Sequence, residues 1–253
     1  MILIGSLRRA GFFVLLIALW EIIYRIGVWD RALFPSPWQV AQSLQRSFAD
    51  GSLLISISVS IRRMLIGFVL SLMIGIPLGL VLARVRWLDE TLGSLVLGLQ
   101  TLPSICWLPL ALLWFGLNDG AIIFVVVIGA LLAITVSVRD GVKNVPPAYL
   151  RAARTMGASP LAIYTEVLLP ASLPSMITGA KLGWSFAWRS LMAGELLFVS
   201  VGLGHQMMMG RELADMSQVI AVMIVIVGLG LITDYLIFGS LEQRVRERWG
   251  LNA

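Results

Sequence analysis

Charged side chains inside apolar runs are where this chain could do chemistry, and they are few. Arg189 and Glu195 lie within the apolar stretch 177–199, where an ionised group is costly and turns toward a cavity, a partner or the bundle interior. Their spacing corresponds to about 600° of helix rotation, so they occupy different faces and do not make an intrahelical pair. Arg189 has two readings: a counter-charge for an anion on a transmembrane path, or a structural bond to a carbonyl or acid of another helix. The structural bond is preferred. Arg62-Arg63 precede another apolar run. Adjacent helical residues diverge by about 100°, so at most one faces a central path, and interface anchoring is the expected role of the pair. Arg62, Arg189 and Glu195 are thus the candidate path residues. Met207-Met208-Met209 beside His205 suggest a soft-metal site, but consecutive helical residues do not converge on one ion, and packing or an apolar gate is preferred. The lone His205 and lone Cys106 leave no His-Glu-x-x-His zinc site and no internal disulfide. With lysine only at 143 and 181, there is no Gly-x4-Gly-Lys-Ser/Thr nucleotide loop. No catalytic residue or metal ligand is assigned.

The elements that must position these residues are membrane spans. The 253 residues are 58% hydrophobic and 13% charged, with a mean hydropathy of +0.92. So little charge cannot shield that much apolar surface in water. A span needs about 20 largely apolar residues, and 10–28, 64–83, 92–115, 121–138, 177–199 and 219–238 qualify. The expectation is an all-α, polytopic membrane protein with six transmembrane helices in a single domain, 1–253. Arg8-Arg9 could announce a signal peptide, but Glu21, Tyr24 and Arg25 stand where small cleavage-site residues belong, so 10–28 reads as a retained span. Glu21 and Arg25 are spaced to pair across one turn. Pro103 and Pro109 predict a kinked or broken third span, because proline removes a backbone donor and clashes with the preceding turn. Such breaks are tolerated against protein or a water-filled path. In 29–60, Ser36-Pro37 starts a helix whose Trp38, Val40, Ala41, Leu44 and Phe48 predict an amphipathic segment on the outer face of the membrane. Gly75-x3-Gly79 and Gly179-x3-Gly183 predict close helix packing, within the chain or at a dimer seam.

Basic residues set the orientation. Arg8, Arg9, Arg84, Arg86, Arg139, Lys143, Arg151, Arg154, Lys181, Arg244, Arg246 and Arg248 fall on one side, against Arg25, Arg31, Arg46, Arg62, Arg63 and Arg211 on the other. Both termini are therefore expected in the cytoplasm. The net charge of +5 encodes topology rather than nucleic-acid binding, there being no dense basic tract. The longest cytoplasmic loop is then 139–176. In it Pro146-Pro147 opens a helix, Gly157 is placed to cap that helix in the left-handed conformation, and Ser159-Pro160 starts a second helix. Pro170 is expected to end the second helix. The result is a helical hairpin in water with a small-residue face of Ala152, Ala153 and Gly157.

This hairpin resembles the EAA loop of ABC-importer permeases, with the pattern Glu-Ala-Ala, three residues, Gly, nine residues, Ile, any residue, Leu-Pro. Ala152, Ala153, Gly157, Val167, Leu169 and Pro170 stand at the matching positions. Val167 replaces Ile, and Arg151 replaces the glutamate, which puts any inherited salt bridge from that position in doubt. Phe34-Pro35-Ser36-Pro37, Leu108-Pro109-Leu110, Trp114-Phe115-Gly116-Leu117, Ala193-Gly194-Glu195, Gly202-Leu203-Gly204 and Leu241-Glu242-x-Arg244 resemble segments of the nitrate/sulfonate/taurine/bicarbonate branch. The resemblance implies the type I importer (MetI-like) permease fold. It implies that Arg151, Ala152, Ala153, Gly157, Ala158, Ser159, Leu169 and Pro170 couple to a separate cytoplasmic ABC ATPase, which binds ATP and Mg while this chain holds no cofactor. It further implies an extracytoplasmic binding protein and a second copy of the chain in a bacterial inner membrane. The substrate would be a small oxyanion or sulfonate such as nitrate, bicarbonate, taurine or an alkanesulfonate. An ATP-independent secondary transporter or channel is the alternative, and the absence of an evident inverted repeat argues against it. An intramembrane enzyme would need converging catalytic groups that the chain lacks.

Overall fold

The computed structural model describes residues 2–197 and 200–248. Residues 198 and 199, the end of the predicted span 177–199, fall outside them, as do the side chains of Arg9, Arg246 and Arg248 used for orientation. The described backbone is helical: α1 (Ile2–Ile26), α2 (Pro37–Ala49), α3 (Ser52–Arg84), α4 (Arg86–Gln100), α5 (Ser104–Phe115), α6 (Asp119–Lys143), α7 (Pro147–Thr155), α8 (Pro160–Leu197), α9 (Leu203–Glu212) and α10 (Met216–Val245). They fall into two units, residues 1–59 with 199–228 and residues 60–198 with 229–253.

By length and composition α3, α6, α8 and α10 can cross a membrane, and α4 with α5 makes a fifth span if the bent pair counts as one. These counts are of the described residues. The remaining expected span, 10–28, is helical as far as Ile26 in α1, whose first turns lie partly outside the described side chains; its Phe12, Phe13, Val14 and Leu15 are all exposed. Its Glu21 and Arg25 pair at 2.7 Å. The third span breaks as its prolines predict: α4 and α5 meet at 102° across residues 101–103, where Pro103 brings no backbone donor.

Two element boundaries depart from the sequence reading. The second span begins at Ser52 rather than residue 64. Ser52, Ser56, Ser58 and Ser60 depress the hydropathy of its first turns without disfavouring the helix, since Ser58 Oγ bonds the Ile55 carbonyl at 2.8 Å. Asp50 Oδ1 accepts the Ser52 N–H at 2.9 Å at this helix start, and the Ser52 hydroxyl and amide hold the Asp50 carboxyl below its ordinary range. The amphipathic part of 29–60 is therefore α2 alone, capped by Ser36 and Gln39 in a capping box. The second departure is at Pro170, which does not end a helix. Residues Ile163–Leu168 form a π-helical wide turn. There the hydrogen-bond ladder shifts to a longer step just where the ring would meet the carbonyl four residues back, so α8 runs on through Pro170 and Pro174.

In the second unit α6 is the core helix: 61% of its most apolar window is buried, against 33% for α3 and 6% for α8. Its partners approach through glycine. A Cβ on Gly179 would lie 2.5 Å from Ser137 Cβ, one on Gly141 2.5 Å from Ser175 Cβ, and one on Gly79 2.6 Å from the Thr135 carbonyl oxygen. Both Gly-x3-Gly pairs therefore pack on α6 inside the chain, where removing Cβ lets backbones close up. Phe68, Trp184 and Phe238 interlock nearby with centroids 5.0–6.4 Å apart.

In the first unit, Trp20 Nε1 donates to the Pro35 carbonyl at 3.0 Å, which ties α1 to the turn before α2. Gln206 Nε2 donates to Ser52 Oγ at 3.1 Å, and Gln218 Nε2 to the Gln206 carbonyl at 3.0 Å, joining α9 to the starts of α3 and α10.

Candidate functional site

Two arginines on membrane-spanning helices meet opposite environments within the second unit. Arg63, on α3, is 3% exposed. Its Nη1 donates to Glu195 Oε1 at 2.9 Å and its Nη2 to Asp119 Oδ1 at 2.6 Å. Glu195, near the end of α8, is fully buried and also accepts from Ser60 Oγ at 2.7 and 2.9 Å. Asp119 is the first residue of α6, after the Asn118 cap, where the helix dipole favours a negative charge. Its second oxygen accepts from Arg62 Nη2 at 2.8 Å. One buried cation thus faces two carboxylates, so α3, α6 and α8 are pinned together at one end.

This arrangement revises three expectations. Arg62 and Arg63 are not a pair of interface anchors; both are bound to Asp119. Glu195, read as a path residue, sits in the packed interior, and Arg62 is held at its rim. Asp119 was overlooked: its local signal was only an acid after a helix cap, and its partners lie more than fifty residues away in sequence.

Arg189 forms no ion pair among the described residues. It is exposed on α8, with its guanidinium 5.6 Å from the Phe186 ring centroid. The acid or carbonyl partner preferred from sequence is not there. Instead Arg189 lines a cavity of about 300 Å³ at the α4–α5 break, together with Gln100, Thr101, Ser104, Trp107 and Phe186.

At the hairpin, α7 ends in a Schellman cap. Gly157 has φ +80°, its N–H bonds the Arg154 carbonyl at 3.0 Å, and the Ala158 N–H bonds the Ala153 carbonyl at 3.0 Å. Ser159 Oγ accepts the Ala162 N–H at 3.2 Å and starts α8. Arg151, Ala152, Gly157 and Ser159 are exposed and Ala158 is half-buried, as are Leu169 and Pro170 at the root. Ala153 is buried, so the three small residues do not share one open face. What the turn presents is apolar: Met156 is 86% and Leu161 71% exposed. Its root is held by Arg84, whose guanidinium lies 5.2 Å from the Tyr164 ring centroid. A second ionic tie, also unforeseen, joins α4 to α6. Asp89 contacts Arg139 at 2.7 Å as an ion pair rather than a well-aimed hydrogen bond, and Lys143 as well.

Residues 75–247 match the family model described as the binding-protein-dependent transport system inner membrane component. A protein of Methanocaldococcus jannaschii named as an ABC transporter permease is 36% identical over 225 residues, 87% of this chain and 84% of that protein. The Escherichia coli protein SsuC, named for aliphatic sulfonates transport, is 30% identical over 245 residues, 96% of this chain and 92% of that one. The fold is similar to that of a chain in an inward-facing structure of the MetNI methionine ABC transporter, with a TM-score of 0.69 at 21% identity, covering 77% of this chain and 96% of that chain.

Proposed function

The chain belongs to the family of binding-protein-dependent transport system inner membrane components, the permeases of ABC importers, and we propose that it carries a small sulfonate or oxyanion inward, driven by a separate ATPase. Two copies of the chain enclose the path. A binding protein delivers the solute at the face bearing Arg62 and Asp119, and the hairpin and both termini lie in the cytoplasm. ATP and Mg belong to the partner, and this chain holds no cofactor. The sulfonate class rests on the similarity to SsuC.

The observation that carries the coupling role is the unbroken helix α8. Its 38 residues extend about 57 Å at 1.5 Å per residue, from the capped turn at Gly157 to Arg189 and Glu195. A force applied at the turn moves the cavity wall and the ionic clamp as one body. The turn is suited to receive such a force: it is rigidly capped and offers Met156 and Leu161 as apolar knobs, which in water call for a protein partner. Nucleotide acts by favouring one packing of these helices over another.

Proximity tests this. In a Cys106→Ser background, a Met156→Cys variant is expected to cross-link to the partner ATPase, whereas a Trp38→Cys variant on α2 does not. Equal cross-linking from both positions, or from neither, would refute docking at the hairpin.

A further inference from the structure

We infer that the cavity at the α4–α5 break is an anion subsite, which holds an oxyanion head group between the Arg189 guanidinium and the Trp107 indole N–H. The inference rests on the importer reading above and adds the place in the chain where the solute is bound. Arg189 sits on a membrane-spanning helix with no carboxylate in ion-pair reach among the described residues. The quadrupole of Phe186 attracts it, but a cation–π contact alone does not satisfy the guanidinium's donors at membrane depth. The charge therefore needs water or an anion in the cavity. Independently, Trp107 Nε1 is buried and has no hydrogen-bond partner. A buried orphan donor calls for an acceptor, which an ordered water or a bound ligand oxygen would supply.

The rest of the lining agrees on the sign of the ligand. The Ser104 and Ser190 hydroxyls are hydrogen-bonded to each other at 2.8 Å, and Gln100 adds an amide. No aspartate or glutamate lines the cavity, so it has donors and positive charge for an anion and no counter-charge for a cation. Ile128, Leu132 and Ala133 form an apolar flank against which a short alkyl tail can pack. At about 300 Å³ the space lies at the small end of ligand pockets and suits a short alkanesulfonate or nitrate. The break is what creates it: a continuous helix through residues 101–103 would fill this space and leave no gap for a solute.

The test is the thermal unfolding midpoint of the full chain, purified in detergent and titrated with ethanesulfonate, with nitrate, and with neutral dimethyl sulfone. Wild type is expected to gain about 5–10 °C at a hundredfold excess over Kd with either anion and nothing with the sulfone. Arg189→Gln abolishes the gain, Arg189→Lys keeps part of it, and Trp107→Phe, which retains the ring and loses only the N–H, weakens affinity several-fold. No gain in wild type, an equal gain with the sulfone, or an undiminished gain in both Arg189→Gln and Trp107→Phe overturns the subsite. ATP-dependent uptake of labelled ethanesulfonate separates this from the importer reading. Anion stabilisation without uptake refutes anion import and leaves the subsite standing. Uptake with unchanged KM in both variants refutes the subsite and leaves import standing.

Discussion

Arg63 and Arg189 are the same residue type on neighbouring helices of one unit, yet among the described residues Arg63 is held by two carboxylates and Arg189 by none. A cation whose charge is matched inside the protein can only lock helices, because its donors are already committed. A cation left with a ring face and a cavity keeps its donors for something that comes and goes. Charge on a membrane-spanning helix is thus handled in two ways, once by burial against permanent partners and once by exposure to a cavity.

Removing one member of the matched set should have the largest effect. Arg63→Met or Glu195→Leu alone leaves an uncompensated buried charge and is expected to cost about 3–5 kcal/mol of stability. The double variant should recover much of that, because two apolar side chains satisfy the interior. Thermal or denaturant unfolding in detergent reads the cycle. Additive losses in the double variant would mean that the two residues act separately. The parallel change Arg189→Met is expected to cost less than about 1 kcal/mol or to stabilise slightly, since no partner is orphaned. A loss equal to that of Arg63→Met in the same assay would erase the distinction between the two arginines. The smallest effect belongs to Arg62→Gln. Its side chain is 63% exposed, so its bond to Asp119 is screened and worth below about 1 kcal/mol, and the small loss should shrink further in high salt.

What was legible in the sequence was local. Gly157 and Ser159 announce the hairpin, since a left-handed cap and an N-cap depend on the few residues beside them. Pro103 announces the broken span for the same reason. What escaped depends on neighbours distant in the chain or on a compensating distortion. Asp119 acquires its role only when α3 folds against α6 and brings Arg62 and Arg63 to it. Pro170 reads as a stop until the wide turn before it is known. Arg189 stands out in the sequence as an intramembrane charge, but Trp107, in another span, does not, and the two line one cavity only at the bend that Pro103 introduces. The start of α3 escaped for a simpler reason: serines lower hydropathy without preventing a helix.

The coupling of the hairpin to transport is tested most directly by reconstituting the chain with its ATPase and binding protein and measuring solute moved per ATP hydrolysed. In Gly157→Trp the added Cβ would meet nothing within 4 Å in the chain itself, so the turn leaves room for the ring to project toward whatever docks there, and the strained φ costs only about 1–2 kcal/mol. The permease should still fold, and the ratio of transport to hydrolysis should fall at least about tenfold. A correctly folded Gly157→Trp protein with wild-type transport per ATP would show that the hairpin is not where force enters the membrane subunit.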